Sequence, residues 1–225
     1  MNMVKKLFYI IRKKFKVKQI LYDVIKKTKS KQLSVLRARN IYDKEGARNL
    51  NEHDQLEIYD YHKKFFEERL EAGKDKTILD FGCGTGRYLE IQKNFRKVYL
   101  VDISKHNLLI ASSNARELKI EHSVLKKSLF GIKTNIDIFF SVGVFGQTYP
   151  FDEKVAKKIY SLLNENGYGL FTIKTIDEFN HEPHSLHKDE IEDMLRNFTF
   201  EIEIRNFKGV NEINESFCIV KIFKD

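Results

Sequence analysis

The sequence is poor in several residue types, and each shortage limits what the protein can be. Among 225 residues there are two cysteines, Cys83 and Cys218, and two prolines, Pro150 and Pro183. Two distant cysteines make neither a disulfide framework nor a zinc ligand set, so we expect a reducing, cytoplasmic environment. The sequence has no run of about twenty apolar residues, and we therefore expect no membrane-spanning helix.

The first residues, MNMVKKLFYIIRKKFK, contain a short apolar core that lysines and arginines follow at once. A secretory signal needs a longer apolar region and a cleavage site made of small residues. Neither is present, which again favours a cytoplasmic protein.

Positive charge is confined to one end of the chain. Residues 1–31 contain eleven Lys or Arg and one acid, whereas the rest of the chain contains 29 basic and 31 acidic residues. The net charge of +8 therefore gives no indication that the main part of the protein binds nucleic acid. Apolar residues at helical spacing within residues 3–28, with lysines opposite them, predict one or two amphipathic helices.

Three roles are open to this basic segment. It could lie on an anionic membrane surface with its apolar face down, or it could bind RNA through its lysines. It could also pack on its own domain or in a homodimer, with the lysines as a solvated face. A membrane is favoured over nucleic acid, because the apolar stripe is large and aromatic while only Tyr9 and Tyr22 are available to stack on bases.

The rest of the chain alternates short apolar runs with helical patterns. Residues 1–52 are predicted to be an N-terminal extension that ends in an irregular connection, and residues 53–225 to be the main domain. A helix is predicted over 51–70, with Ala72 to Asp75 closing it. Strands are predicted at 77–81, 97–101, 121–125, 136–141, 168–175, 200–206 and 216–223, and helices at 87–94, 104–117, 152–164 and 188–197. In the helix at 104–117 we expect Leu108, Leu109 and Ala111 to face inward.

This alternation indicates an α/β fold, a parallel sheet with helices on both faces. The last two strands have no helix between them, so they should be antiparallel.

The stretch ILDFGCGTGRYLEI carries the clearest functional signal. Gly82, Gly84 and Gly86 follow a predicted strand and precede a helix, a place where glycines let backbone N–H groups approach a ligand. Twenty residues after Gly82, Asp102 ends the next strand, where a carboxylate can bind both hydroxyls of a ribose. Dinucleotide-binding loops have the spacing G-x-G-x-x-G, whereas this loop reads G-x-G-x-G. The pattern predicts a ligand that contains a nucleoside.

Several motifs resemble those of class I S-adenosylmethionine-dependent methyltransferases. LDFGCGTGRYL resembles their first motif and VYLVDIS their ribose-binding second strand. IDIFFSVGVFGQ resembles their fourth strand with the loop that edges the active site, and NENGYGLFTIK resembles their fifth strand. The resemblance covers roughly residues 54–225. It implies a Rossmann-like, seven-stranded, mostly parallel sheet with an antiparallel last strand and helices on both faces.

The resemblance also implies S-adenosylmethionine as the cofactor and assigns residues to it. The glycine loop, residues 82–86 including Cys83, would hold the methionine part, with Asp80 at its base. Asp102 would bind the ribose, and Ile103 would lie against the adenine. The set is completed by residues near the adenine amino group and at the start of the fourth-strand loop: Ser128, Leu129 and Ser141.

The acceptor side is less closely determined. In relatives that methylate exocyclic amino groups of bases, the fourth-strand loop reads Asn or Asp, Pro, Pro and an aromatic residue. Residues 141–147 here read SVGVFGQ, which argues against that reaction. Gln147 and Tyr149 could bind the acceptor, or they could be ordinary loop residues.

A histidine-rich stretch, HEPHSLH, follows the fifth predicted strand. His181 or His184 could act as the general base that a hydroxyl acceptor requires. Pro183 prevents a simple helix from aligning these side chains with His187, so we expect no metal. The same stretch could be a polar loop on the substrate side that transfers no proton.

Together these features predict a methyltransferase acting on a small molecule or on a sugar or glycolipid precursor of the cell envelope, at an oxygen atom. One alternative is an RNA methyltransferase that docks through its basic N-terminus. The other is a subunit that binds the cofactor without catalysis.

Overall fold

The structure, a computed structural model, describes residues 58–71, 73–176, 184–208 and 214–224. Several predicted features lie outside the described residues. They are the amphipathic helices in 3–28, the connection over 30–52 with its domain boundary, and the turn around Gly209. The first seven residues of the helix predicted at 51–70 also lie outside them.

The described part contains five α-helices and seven strands in alternation. The helices are α1 (Ile58–Glu67), α2 (Leu89–Gln92), α3 (Lys105–Glu117), α4 (Glu153–Leu162) and α5 (Lys188–Leu195). The strands are β1 (Thr77–Phe81), β2 (Lys97–Asp102), β3 (His122–Lys126), β4 (Ile136–Phe145), β5 (Leu163–Lys174), β6 (Thr199–Lys208) and β7 (Asn214–Phe223). A 3₁₀ turn, Leu129–Gly131, precedes β4.

All seven strands form one sheet in the order β3-β2-β1-β4-β5-β7-β6. The pairs β1–β2, β1–β4, β2–β3 and β4–β5 are parallel, and β7 runs antiparallel between β5 and β6. The Rossmann-like sheet with an antiparallel last strand is therefore confirmed. The strand order reverses between β1 and β4, and sheets of this kind bind ligands in the crevice at the carboxyl ends of such strands.

Each face of the sheet is covered by its own apolar cluster. On one face, which we call the glycine-loop face, Phe66 of α1, Leu89 of α2 and Leu108 of α3 pack on β1, β4 and β5. On the opposite face, α4 and α5 contribute residues such as Ile159 and Ile191. Every residue of β1 is buried, as expected for a central parallel strand.

Helix α3 corrects one prediction about its inward face. Leu108 and Ala111 are buried as predicted, but Leu109 is 59% exposed. Each residue turns the helix by about 100°, so the residue next to an inward Leu108 points away from the sheet. The helix begins where Ser104 Oγ accepts a hydrogen bond from Asn107 N at 3.2 Å.

Several boundaries differ from the predicted ones, and those of α2, β4 and β5 lie nearest the predicted site. The helix predicted at 87–94 is only Leu89–Gln92, because turns occupy residues 84–88. Strand β4 continues to Phe145, through a register shift after Ser141 that Gly143 permits with its φ of +73°. Strand β5 begins directly after α4, at Leu163. Among the described residues, no helix has the length and apolar character needed to cross a membrane.

Candidate functional site

The glycine loop lies at the carboxyl end of β1, beside the crevice. Gly82, Gly84 and Gly86 have φ values of +72°, +54° and +95°, which place all three in a region that other residues rarely adopt. A Cβ on Gly82 would lie 2.3 Å from Val144 Cγ2, and one on Gly86 would lie 2.4 Å from Leu89 Cδ1. A side chain at either position would therefore force Val144 or Leu89 to move, in addition to straining the backbone.

Asp102, at the end of β2, is hydrogen-bonded to the glycine loop. Its Oδ2 accepts from Gly84 N at 3.1 Å, and its Oδ1 accepts from Ser104 N at 2.7 Å. Burial raises the pKa of Asp102, and the hydrogen bonds from Ser104 and Gly84 oppose that rise. The Asn107 side chain and the Ile103 backbone also hydrogen-bond Asp102, so the ribose hydroxyls expected here would share its two oxygens with these donors.

Asp80, the other acid of the motif, is buried in β1. Its Oδ2 accepts a hydrogen bond from Gln92 Nε2 at 2.9 Å, so α2 and the base of the loop are joined. Sequence reasoning did not identify Gln92. The available signal is a polar residue on the inward side of a helix, three positions after the buried Leu89.

Asn107 is the second residue of the site that sequence reasoning missed. Its side chain hydrogen-bonds Asp102, and it follows the helix cap Ser104 by three residues. Among the described residues, neither Asn107 Oδ1 nor Gln92 Oε1 has a hydrogen-bond partner, although both are buried. An unpaired buried carbonyl costs about 1–3 kcal/mol, so two such atoms beside Asp80 and Asp102 fit a site that holds a polar ligand.

The residues predicted beside adenine are spread over three environments. Ile103 is half-buried directly after Asp102, and Ser128 is exposed, without a side-chain bond to the 3₁₀ turn that it precedes. Leu129 is fully buried in the apolar cluster that also contains Val101 and Phe81.

Strand β4 brings the predicted fourth-strand loop against the glycine loop. Ser141 is fully buried, and its Oγ donates to the Phe81 carbonyl oxygen at 2.8 Å. Gly143 N donates to Thr172 Oγ1 at 2.9 Å, which joins the loop to β5. Together with the Gly82–Val144 contact, these bonds bring the ends of β1, β4 and β5 together at one edge of the sheet.

Gln147 and Tyr149, the residues predicted to bind the acceptor, have different surroundings. Gln147 is half-buried, and its Oε1 lies 3.7 Å from the point that a Cβ on Gly143 would occupy. The Tyr149 ring packs edge-on against Phe81 and Phe145, with centroids 5.6 Å and 5.9 Å away. Tyr149 therefore belongs in large part to the aromatic core.

The histidines also have different surroundings. His184 is half-buried, and His181 lies outside the described residues. His187 forms the N-terminal cap of α5, with its backbone N–H donating to Glu190 Oε2 at 2.8 Å. In the described part of the chain, no three His, Cys, Asp or Glu side chains are arranged as metal ligands.

Comparisons with known proteins agree with this geometry. A family model described as a methyltransferase domain matches residues 72–215. No curated protein matches the sequence.

Solved structures share the fold at low sequence identity. Magnesium protoporphyrin IX methyltransferase from Synechocystis, solved with bound S-adenosylhomocysteine, superposes with a TM-score of 0.66 at 14% identity, over 85% of this chain and 100% of that one. TehB from Haemophilus influenzae superposes with a TM-score of 0.62 at 15% identity over 73% of this chain, and the match spans 62% of the length of TehB.

A tRNA methyltransferase from M. jannaschii gives a TM-score of 0.56 at 14% identity, over 75% of this chain and 50% of that one. The glycine loop, the acid after β2 and the sheet order are thus found together with a family match over most of the main domain. The chain belongs to the methyltransferase domain family and is a class I, S-adenosylmethionine-dependent methyltransferase.

Proposed function

We propose that this methyltransferase acts on an oxygen atom of a small-molecule acceptor, with a sugar or glycolipid precursor of the cell envelope as the favoured class. The observation that supports this proposal is the makeup of the loop at the end of β4. The hydroxyl of Ser141 is bonded to the Phe81 carbonyl oxygen, and residues 142–146 carry no polar side chain. In residues 141–147 the only side-chain amide is that of Gln147 and no residue is acidic, so the loop lacks the Asn or Asp, Pro, Pro, aromatic sequence of relatives that methylate the amino groups of bases.

The bound cofactor supplies a methyl group on a sulfonium centre, which is already activated for transfer. The work of the chain is then to orient the acceptor and to exclude water. In this proposal Asp80, the glycine loop and Asp102 hold the methionine and ribose parts of the cofactor. Ile103, Ser128, Leu129 and Ser141 remain candidates for its adenine side and for the edge of the site.

A hydroxyl acceptor must also lose a proton during transfer. We propose His181 or His184 as the group that accepts it, because imidazole titrates near neutral pH and both follow the carboxyl end of β5. Gln147 is proposed to orient the acceptor, since its amide can both donate and accept hydrogen bonds.

The N-terminal segment gives a second candidate function, RNA methylation. Its eleven basic residues against one acid could dock on phosphates. Such binding should weaken steeply as salt is added, because each neutralised phosphate releases counterions. The other proposed partners for this segment are an anionic membrane surface and a second copy of the chain.

Transfer of labelled methyl groups tests the proposal. The protein is incubated with S-adenosylmethionine carrying a labelled methyl group and with three acceptor sets: polyols and sugars, aliphatic and aromatic amines, and total RNA. Label on the hydroxylated compounds, lost in Asp102→Ala, is the expected result. Label on RNA or amines alone would refute O-methylation of a small molecule.

The same protein tests the membrane proposal by sedimentation with vesicles. Sedimentation with vesicles that contain anionic lipid, but not with neutral ones, is expected for the full chain and should be lost when residues 1–31 are deleted. Equal behaviour of the two proteins would refute a membrane role for the segment.

A further inference from the structure

The carboxyl end of β5 carries buried polar groups that the proposed cofactor site does not use. Lys174, the last residue of β5, is 4% exposed. Its Nζ lies 3.3 Å from Glu215 Oε2 on β7, and among the described residues this is its one hydrogen bond. Burying an ammonium group is costly even when it is paired, and two of its three N–H groups have no partner among the described residues.

Ser185 places a second polar group at the same point. It is 9% exposed, and its Oγ has no hydrogen-bond partner among the residues that the structure describes. Removing a hydroxyl from water without a partner is unfavourable. Within the described part of the chain, the serine hydroxyl is therefore buried and open to a ligand.

Backbone pairing fixes the relation between these two residues. Thr175 and Leu186 form a parallel bridge, with Leu186 N donating to the Lys174 carbonyl oxygen at 3.3 Å and Ile176 N donating to the Leu186 carbonyl oxygen at 3.1 Å. Bridged residues project to the same face of a sheet, and successive residues alternate between faces. Lys174 and Ser185 therefore share the face opposite to Thr175 and Leu186.

This face is the glycine-loop face. Along β5, Tyr168, Leu170, Thr172 and Lys174 alternate onto one side, and the first two belong to the cluster that contains Leu89 and Leu108. On β7, Glu215 lies on the same side of the strand as Phe217 and Ile219, which belong to the same cluster.

The group also borders the loop after β4. A Cβ on Gly146 would lie 2.7 Å from both the backbone N and the O of Lys174, so the loop rests directly on the end of β5. Two residues before Lys174 in β5, Thr172 Oγ1 accepts a hydrogen bond from the backbone N–H of Gly143 in the same loop. The next residue of that loop, Val144, touches the glycine loop at Gly82. Lys174 is thus one strand away from the crevice between β1 and β4.

The charges and donors of the group indicate what it binds. An ammonium and a carboxylate together are neutral, and an anionic ligand placed against Lys174 would also be repelled by Glu215. An apolar ring would leave the buried donors unpaired. Adjacent hydroxyl groups suit the set, because each hydroxyl both accepts and donates.

We propose that Lys174, Ser185 and Glu215 bind two neighbouring hydroxyl groups of the methyl acceptor, which is therefore a sugar or a polyol. Lys174 and Ser185 donate to the hydroxyl oxygens, and Glu215 accepts from a hydroxyl. This inference rests on the proposed function and narrows its substrate class to compounds with vicinal hydroxyls.

Saturation-transfer NMR of the full chain, saturated with S-adenosylhomocysteine, tests the inference. The probes are myo-inositol and methyl α-D-glucopyranoside, with benzoate as the anionic aromatic comparator. The variants are Lys174→Met and Ser185→Ala. Their controls are Lys188→Met, which changes an exposed lysine of α5, and Ser113→Ala, which changes an exposed serine of α3.

We expect both hydroxylated probes to bind the wild type and benzoate not to bind. Lys174→Met should lower the affinity for the hydroxylated probes by about tenfold or more, because a charged hydrogen bond is lost. Ser185→Ala should lower it by about fivefold, because a neutral hydrogen bond is lost. Both test variants should keep the wild-type affinity for S-adenosylhomocysteine. Both control variants should keep the wild-type affinity for the probes. Ser185→Ala removes no hydrogen bond within the described protein, so a folding defect would not explain its result.

Equal probe affinity in the wild type and both variants would refute this inference and leave the proposed O-methylation intact. Binding of benzoate in preference to the hydroxylated probes, or no binding of those probes to the wild type, would refute it as well. Methyl transfer to RNA alone would refute the proposed function and this inference together.

Discussion

Replacing Gly82 with alanine tests how the glycine loop is held against β4. The backbone at Gly82 has a φ of +72°, and holding a non-glycine residue there costs about 1–2 kcal/mol. The new Cβ would also lie 2.3 Å from Val144 Cγ2, and overpacking of this kind costs typically about 1–3 kcal/mol. Gly82→Ala should therefore lower the free energy of unfolding by about 2–5 kcal/mol.

Gly143→Ala is a matched control for the backbone contribution. Its φ of +73° is nearly the same, but its nearest contact to a new Cβ is Gln147 Oε1 at an ordinary 3.7 Å. This variant should lose only the conformational part, about 1–2 kcal/mol. The double variant Gly82→Ala/Val144→Ala should recover the steric part of the loss, after correction for Val144→Ala alone.

Urea unfolding followed by circular dichroism measures all four variants, with calorimetric titration of S-adenosylhomocysteine alongside. We expect Gly82→Ala to lower the affinity for S-adenosylhomocysteine as well, because a displaced loop no longer places Gly84 N within hydrogen-bond distance of Asp102. Equal losses of stability in Gly82→Ala and Gly143→Ala would refute the reasoning. So would a failure of Val144→Ala to relieve the Gly82→Ala defect.

Three further predictions concern Asp102, His62 and Ser185. Asp102→Ala should lower the affinity for S-adenosylhomocysteine, measured by calorimetry, by about tenfold or more. The affinity of the wild type should fall as the pH drops through the raised pKa of Asp102, because only the carboxylate accepts hydrogen bonds from both ribose hydroxyls. An affinity that does not change with pH would contradict this. Burial, with a smaller contribution from Arg87, lowers the pKa of His62 from 6.5 to about 4, so its stability contribution is present above pH 6.5 and is lost as the pH falls toward 4. His62→Phe should reduce that acid destabilisation by about 2 kcal/mol after allowance for solvent screening, and unchanged acid-unfolding curves would refute it. Ser185→Ala should leave the unfolding midpoint in urea unchanged or slightly higher, because a buried hydroxyl without a partner is removed, whereas a clear loss of stability would show that Ser185 Oγ has a structural bond.

Much of the fold was predictable because local patterns carry it. Strand β1 spans the predicted residues 77–81, and the face formed by Val155, Ile159 and Leu162 in α4 is buried as its helical spacing indicates. The antiparallel pairing of the last two strands followed from the missing helix between them. A nucleoside-containing ligand followed from the spacing of three glycines, a strand, a helix and an acid, all within about 25 residues. S-adenosylmethionine followed from the resemblance of these motifs to those of methyltransferases.

Helix ends and strand lengths were less accessible, since they depend on glycine conformations and on neighbours far along the chain. The helix after the glycine loop is shorter than predicted because turns occupy residues 84–88 before it and 93–94 after it. Strand β4 is longer than predicted because residues beyond Ser141 pair with β5. Leu109 was placed inward in error, because an apolar side chain in a helix need not face the core.

The sequence by itself determined the alternation of strands and helices, the nucleoside-binding loop and the acid that accompanies it, since each is encoded by residues close together in the chain. Only the tertiary structure decided which partners the polar side chains meet. Ser141 is bonded to Phe81, 60 residues away, and Lys174 is paired with Glu215, 41 residues away. Such contacts arise when distant strands become neighbours in the sheet, and no local pattern of residues specifies them.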